Sequence, residues 1–189
     1  MTLLRGKKIV LGVSGGIAAY KAIEILRGLQ KSGATVQVVM TANATRFITP
    51  LTCSILTGSK VYVSMFPEGD QTEIEHIALG EKLDLFLIAP ATANIIGKMA
   101  RGIADDFVST FYLSSTAPIV LAPAMNWKMY DHAAVQENLD LLASRGAYII
   151  EPEEGDLACR DIGKGRLASS DRIVDKVMEI LTPKTLKGK

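Results

Sequence analysis

Five short runs of apolar residues recur along the chain, and in each run the apolar residues are continuous rather than alternating with polar ones. The runs are KIVLGV (8–13), TVQVVM (35–40), LFLIAP (85–90), PIVLAP (118–123) and AYIIEP (147–152). Strands that are covered on both faces have this pattern, because neither face meets water. We therefore predict five strands of a buried parallel sheet.

The segments between these runs have the spacing of helices. They span residues 15–33, 92–114, 133–146 and about 170–181. Gly33 and Gly146 stand where helices should end, directly before a strand, and a break is expected near Gly102. The alternation predicts an α/β fold with a doubly wound parallel sheet, a three-layer sandwich of the Rossmann or flavodoxin-like type. In such folds ligands bind at the carboxyl ends of the strands.

Composition narrows the class of protein. The 189 residues suffice for one domain, and 48% hydrophobic with 22% charged residues is ordinary for a folded soluble protein. A net charge of +1 gives no reason to expect nucleic acid or a membrane as partner. Two cysteines cannot form a disulfide framework, and the first apolar run ends too early for a signal peptide. A cytoplasmic protein is the expectation.

Candidate binding residues follow the first two strands. In GVSGGIAAYK (12–21), Ser14, Gly15 and Gly16 allow a phosphate to approach backbone N–H groups at a helix start, although an ordinary tight turn has the same residues. In MTANATRF (40–47), Thr41 and Asn43 suit hydrogen bonding to a ligand or, equally well, capping of a helix. The neighbouring Phe47 suits stacking on a planar ring or packing in the core.

The third and fourth strands end in further candidates. Thr92 and Asn94 in PATAN (90–94) stand among small residues that leave room for a flat ligand. Asp105 and Asp106 lack metal-ligand partners in sequence, so a capping or interface role is expected for them. In APAMNWKMY (122–130), Asn126 stands among large apolar residues, which indicates a subunit interface, an amide that holds a carboxylate, or both.

The histidines and cysteines give unequal signals. His132 in YDHAAV has the position of an ordinary helix-start residue, and spacing alone does not distinguish a structural from a catalytic role for His76. Cys53 in PLTCSIL is expected to be a small buried residue. Cys159 differs, because GDLACRDIGKGR (155–166) surrounds it with charged residues and glycines, which predicts a flexible loop that carries a reactive thiol.

From about Lys7 to Leu181, the chain resembles the flavin-dependent cysteine decarboxylases, and closely the phosphopantothenoylcysteine decarboxylase domains of coenzyme A biosynthesis. The resemblance rests on SGGIAAYK, PATAN, the histidine of EHIAL, PAMN with Met129, and ACRDIGKGR. Each motif alone is weak, and the five in order are strong.

The resemblance implies FMN as cofactor and a homotrimer, or an assembly of trimers, with each flavin at a subunit interface. It implies that FMN is held by Ser14, Gly15, Gly16, Ile17, Thr41, Asn43, Phe47, Ala91, Thr92, Ala93 and Asn94. The substrate residues that it implies are Met125, Arg160, Lys164 and Arg166. No metal is expected.

The implied reaction converts 4′-phosphopantothenoylcysteine to 4′-phosphopantetheine. The thiol is oxidised to a thioaldehyde, which accepts electrons as carbon dioxide leaves, and the enethiol is then protonated and reduced. By resemblance, His76 is a base or electrostatic partner of the first half, Asn126 orients the carboxylate and Cys159 is the proton donor of the second half. The glycines of residues 155–166 would let that segment close over the substrate.

Arg160 departs from the family pattern, which typically has glycine after the cysteine. If that position requires a positive φ, arginine costs about 1 kcal/mol or more there. Three other functions compete: a flavin prenyltransferase, a decarboxylase of C-terminal peptide cysteines, and a non-catalytic regulatory flavoprotein.

The domain is expected to span residues 1–181 and to be followed by a linker at 182–189. The ending LKGK (186–189) is similar to LRGK (4–7), which leads into the first strand. We therefore expect the native polypeptide to continue into a second domain, which in bacterial relatives is commonly a synthetase.

Overall fold

The computed structural model describes residues 3–66, 79–80, 83–156 and 162–182. Within them, five strands form one parallel sheet in the order β2-β1-β3-β4-β5. The strands are β1 (Lys8–Val13), β2 (Thr35–Met40), β3 (Leu85–Ala91), β4 (Ile119–Pro123) and β5 (Tyr148–Ile149). This is the flavodoxin-like order, so the predicted fold class is confirmed.

Seven α-helices that lie wholly within the described residues cover the sheet. They are α1 (Ala22–Lys31), α2 (Pro50–Thr57), α3 (Ala93–Arg101), α4 (Phe107–Ser114), α5 (Trp127–Tyr130), α6 (Ala133–Ser144) and α7 (Ser170–Leu181). Short 3-10 helices span Ile17–Lys21 and Ala44–Arg46. Gly33, Gly102 and Gly146 have φ of 99°, 70° and 94° and follow the ends of α1, α3 and α6 as predicted.

Each face of the sheet packs against its own helices. Ile9 and Leu11 of β1 point into one core with the apolar residues of α1 and α7, and Val10 points into the other with those of α3, α4 and α6. All seven residues of β3 are buried. The continuous apolar runs in sequence therefore reflect burial of both faces.

Helix α2 was not among the predicted elements, although local signals mark its start. Thr49 caps it by accepting a hydrogen bond from the Thr52 N–H at 3.3 Å, and Pro50 occupies the first helical position. Cys53 lies on this helix with 1% of its surface exposed, which confirms the prediction that it is a buried residue.

The prediction of a flexible loop over residues 155–166 is wrong for its described residues. Strands β6 (Glu153–Asp156) and β7 (Ile162–Arg166) pair as an antiparallel hairpin outside the main sheet. Gly163 lies against Trp127 at the start of α5, and Gly165 lies against the Met125 carbonyl, so that side chains would not fit at either position. The glycines thus serve close packing.

None of the helices within the described ranges is long and apolar enough to cross a membrane.

Candidate functional site

A cleft of about 1050 Å³ opens at the carboxyl ends of β1 to β4. It is at the upper end of the volumes found for ligand sites and would accommodate a dinucleotide-sized or flavin-sized molecule. One wall consists of the segments after β1, β2 and β3, which we call the sheet wall. The other, which we call the hairpin wall, consists of residues 124–129 and the end of β7 with Leu167.

Ser14 joins two loops of the sheet wall. Its buried hydroxyl donates to the Pro90 carbonyl at 2.7 Å and accepts from the Thr92 N–H at 3.0 Å. Thr92 in turn caps α3 by accepting from the Ile95 N–H at 3.5 Å. The Ser14 hydroxyl thus has two hydrogen-bond partners at the end of β3. Its described contacts position the loops after β1 and β3 around a ligand.

Gly15 makes the contact between the loops after β1 and β2. A Cβ at this position would overlap the side chain of Asn43 and lie 2.7 Å from its carbonyl carbon. Thr41 holds the second loop by accepting from the Ala44 N–H at 3.2 Å. Only glycine therefore permits this approach, and the loops form a backbone-lined cradle of the kind that binds phosphate.

Asn126 begins α5 on the hairpin wall. Its Oδ1 accepts a hydrogen bond from the Lys128 N–H at 2.9 Å, which holds the amide plane in one orientation. The Met125 N–H donates to the Gly165 carbonyl at 3.0 Å, and a Cβ on Gly165 would overlap the Met125 carbonyl oxygen. Strand β7 and the Asn126 segment are thus in backbone contact.

Lys98 forms a charged cluster at the edge of the cleft. Its Nζ lies 2.6 Å from Asp105 and 2.7 Å from Asp106, and its side chain is 18% exposed. Burial opposes its charge, but hydrogen bonds to both carboxylates outweigh it and raise the pKa of Lys98. Asp106 also caps α4 through a reciprocal hydrogen-bond pair with Ser109, which confirms its expected capping role.

Lys164, predicted to contact substrate, does not line the cleft. Its Nζ pairs with Glu151 at 2.7 Å and lies 5.4 Å from the centre of the Tyr130 ring. Two predicted cofactor residues also lie elsewhere. Ala91 is fully buried in the core, because β3 continues through it. Phe47 is 48% exposed and is not among the residues that line the cleft.

The cleft does bring together most of the other predicted residues. Those that line it are Ser14, Gly15, Gly16, Ile17, Thr41, Asn43, Thr92, Ala93, Asn94, Met125, Asn126 and Arg166. His76, Cys159 and Arg160 lie outside the described residues. His132 caps α6 through its Nδ1, which accepts from the Ala134 N–H at 3.2 Å, as its helix-start position predicted.

Residues 2–182 match the family described as Flavoprotein, which is nearly the whole chain. The chain belongs to the flavoprotein family. Relatives include the coenzyme A biosynthesis bifunctional protein CoaBC of Bacillus subtilis, 48% identical over 172 residues (91% of this chain, 42% of the relative). CoaBC of Escherichia coli K12 is 48% identical over 180 residues (95% and 44%). The chain thus spans less than half the length of these relatives.

Solved structures similar to this flavoprotein chain extend the comparison. The FMN-dependent cysteine decarboxylase SpaF superimposes with a TM-score of 0.80 at 31% identity, covering 94% of this chain and 98% of its own. A PPC decarboxylase mutant complexed with pantothenoylaminoethenethiol gives 0.81 at 26% identity, covering 92% and 97%.

Several residues that line this flavoprotein's cleft were missed by sequence reasoning. They include Tyr20, Lys21, Lys98, Gly165 and Leu167, whereas Met129, which also lines the cleft, had been singled out with the PAMN motif. Lys21 belongs to the quoted SGGIAAYK motif, so its charge was a usable signal. Lys98 and Gly165 reach the cleft only through the packing of α3 and of β7, and no local sequence pattern indicates that packing.

Proposed function

We propose that this chain catalyses the FMN-dependent decarboxylation of 4′-phosphopantothenoylcysteine to 4′-phosphopantetheine. The observation that carries the proposal is the cleft itself, which is lined both by the glycine-built cradle and by Asn126, whose Oδ1 accepts from the Lys128 N–H. The similarity to CoaBC over more than nine-tenths of the chain supports the substrate.

The residues present fit FMN. Gly15 brings two loops into backbone contact at the start of the first helical segment, which suits a phosphate, and the small Ala93 leaves room beside it for a flat ring. When bound, FMN would supply the redox chemistry that oxidises the substrate thiol and later reduces the enethiol.

The chain's own residues would orient the substrate and move protons. The Lys128 N–H donates to Oδ1 of Asn126, which orients this amide in the cleft, and we assign to Asn126 the orientation of the substrate carboxylate. Arg166 lines the same wall and offers a cation to the phosphorylated substrate. We assign the base or electrostatic partner to His76 and the proton donor to Cys159 on the resemblance of their motifs, with Arg160 as a further substrate contact.

We also infer a homo-oligomer, a trimer or a tetramer of trimers, in a cytoplasmic protein. Large apolar side chains are exposed beside the sheet wall and along α2: Ile17 (60%), Tyr20 (55%), Leu51 (66%) and Ile55 (72%). Such side chains favour burial against another copy. Phe47 is 48% exposed as well, which agrees with a flavin contact from a neighbouring subunit.

Because CoaBC relatives are bifunctional and more than twice as long, we propose that 182–189 leads to a synthetase domain.

The decisive experiment follows the products of Cys159→Ser by mass spectrometry. With protonation removed, the decarboxylated and oxidised enethiol should accumulate while 4′-phosphopantetheine disappears. Asn126→Asp should block the first half of the reaction, and therefore the second half too, because the new carboxylate repels the carboxylate of the substrate. Normal 4′-phosphopantetheine formation by Cys159→Ser, with its flavin absorbance intact, would refute the assigned role.

A second candidate function is decarboxylation of a C-terminal cysteine in a peptide, which the 31% identity to SpaF favours. Phosphopantothenoylcysteine and a peptide ending in cysteine should be assayed in parallel with the same flavin-loaded protein. Turnover of the peptide alone would replace the first proposal with the second.

A further inference from the structure

We propose that Tyr130, Glu151 and Lys164 are positioning residues that hold strand β7 and the Asn126 segment together at the hairpin wall of the cleft. The effect on turnover rests on the proposed function. The structural effect does not, because it concerns contacts within the chain.

One carboxylate serves both elements. The Tyr130 hydroxyl donates to Oε2 of Glu151 at 2.8 Å, and the Lys164 ammonium lies 2.7 Å from the same oxygen. Tyr130 ends α5, the short helix that begins after Asn126, while Lys164 lies in β7 and Glu151 follows β5. Glu151 therefore fixes α5 and β7 relative to the sheet.

The cluster is placed to determine the geometry of the cleft. Tyr130 donates its backbone N–H to the Asn126 carbonyl at 3.0 Å, so its position sets that of the Asn126 backbone. Lys164 directly precedes Gly165 and Arg166, both of which line the cleft. A shift of Tyr130 or Lys164 would therefore move cleft residues, although neither is itself among them.

Burial and charge stabilise this arrangement. Tyr130 is 4% exposed, and both its burial and its hydrogen bond to Glu151 raise its pKa, so the hydroxyl keeps its proton and donates. The hydrogen bond from Lys164 lowers the pKa of Glu151 against the opposing effect of burial. Arg172 adds a hydrogen bond to the Glu151 carbonyl at 3.2 Å, which ties the residue to α7.

On the β7 side, the other described contacts with the Asn126 segment are made by glycines. They comprise the Met125–Gly165 hydrogen bond and the packing of Gly163 on Trp127, where a Cβ would lie 2.7 Å from the Trp127 Cβ. Glycines supply no side chain to hold this register. The Tyr130–Glu151–Lys164 cluster supplies the side-chain contacts that the glycines cannot make.

Hydrogen exchange of the full chain tests the proposal through the Met125 amide, which donates to Gly165. Tyr130→Phe removes the hydrogen bond to the Glu151 carboxylate, and Glu151→Gln removes the charge that both partners contact, so exchange of this amide should accelerate about tenfold or more. Lys164→Met removes a half-exposed ion pair, so about twofold to fivefold is expected. Lys164→Arg keeps the charge and should stay near wild type.

Lys176→Met is the matched control, because Lys176 lines a small cavity together with Glu151 but forms its ion pair with Glu179 within α7. It should change neither Met125 exchange nor turnover. In the cluster variants, kcat/KM should fall in the same order as exchange accelerates, while bound flavin and exchange in β1 to β3 remain unchanged. A purely structural role would instead accelerate exchange throughout the sheet.

The proposal is overturned if Met125 exchange is unchanged in both Glu151→Gln and Lys164→Met, or if Lys164→Arg behaves like Lys164→Met. It is also overturned if exchange accelerates equally in the sheet. Should the wild-type chain fail to decarboxylate its substrate, the proposed function falls, and the exchange comparison still decides the role of the cluster.

Discussion

The two walls of the cleft are held by different kinds of interaction. On the sheet wall, Ser14 connects Pro90 to Thr92 through a buried hydroxyl, and Gly15 brings one loop against Asn43. The two hydrogen bonds of Ser14 are short, and Ser14 itself is buried next to the core. These hydrogen bonds tie the loop after β1 to the end of β3.

The hairpin wall depends on glycine contacts and on groups closer to water. The side chains of Lys164 and Glu151 are 49% and 52% exposed, and β6 and β7 pair outside the main sheet. Exposed ion pairs contribute little and are screened by salt. The comparison indicates a rigid wall suited to a resident cofactor and a weaker wall suited to substrates that enter and leave.

The largest expected effect is that of Gly15→Ala on the sheet wall. The new Cβ would overlap Asn43 and force backbone to move, so unfolding free energy should fall by about 3 kcal/mol and flavin should be lost. Thermal unfolding and flavin absorbance measure both. Gly97→Ala within α3 is the control, because its Cβ would lie 3.7 Å from Nδ2 of Asn138 on α6, which is an ordinary contact distance. Equal stability of both variants would contradict the proposed rigidity.

Ser14→Ala should destabilise the same wall somewhat less. It deprives the Pro90 carbonyl and the Thr92 N–H of a buried partner, which costs about 2 kcal/mol. Denaturant titration gives the free energy of unfolding. Ser144→Ala removes an exposed hydroxyl that donates to Leu141 and should cost much less. A similar loss in the two serine variants would mean that burial does not distinguish the sheet wall.

Gly165→Ala on the hairpin wall should act locally. Its Cβ would overlap the Met125 carbonyl oxygen, so β7 should move away while the sheet stays folded. We expect global stability to change by about 1 kcal/mol or less, with a strong loss of turnover. Trp127, the single tryptophan, packs against Gly163 and reports the displacement by fluorescence. Loss of stability as large as that of Gly15→Ala would remove the contrast between the walls.

Acid should give the smallest effect and should weaken the hairpin wall first. Tyr130, Lys164 and Arg172 face Glu151, whose folded pKa lies below its ordinary 4.5. A carboxylate with a lowered pKa in the folded state stabilises the fold when the pH is above the pKa of the unfolded chain. This contribution is lost as the pH falls through the folded pKa. It is less than about 1 kcal/mol because the group is half exposed. Trp127 fluorescence should change in this range before far-ultraviolet dichroism does, and Glu151→Gln should abolish the difference.

Sequence reasoning predicted the sheet because its physical cause is local. Strands buried on both faces need continuous apolar runs, and the ends of α1, α3 and α6 need a residue that adopts positive φ, as Gly33, Gly102 and Gly146 do. Residues that follow a parallel strand must meet at one edge of the sheet. Most of the sheet wall, including Ser14, Gly15 and Thr92, was therefore predictable.

The packing of β7 in the hairpin wall was not predictable from local pattern, although Asn126 was singled out by its position after the fourth strand. Strand β7 has no apolar alternation, because Gly163 and Gly165 pack on the backbone and side chains of residues 125–127. Its charges suggested a solvated loop, whereas Lys164 pairs with Glu151. Such contacts join residues distant in sequence, and their geometry follows from tertiary packing alone.

Because Cys53 is buried, the folded chain can be alkylated selectively at its other cysteine. Of its two cysteines, Cys53 is 1% exposed, and burial raises the pKa of its thiol, so it reacts slowly with electrophiles. Any rapid, stoichiometric alkylation of the native protein therefore reports on Cys159. Its rate, followed with and without substrate, gives a direct measure of how accessible the assigned proton donor is at each stage of binding.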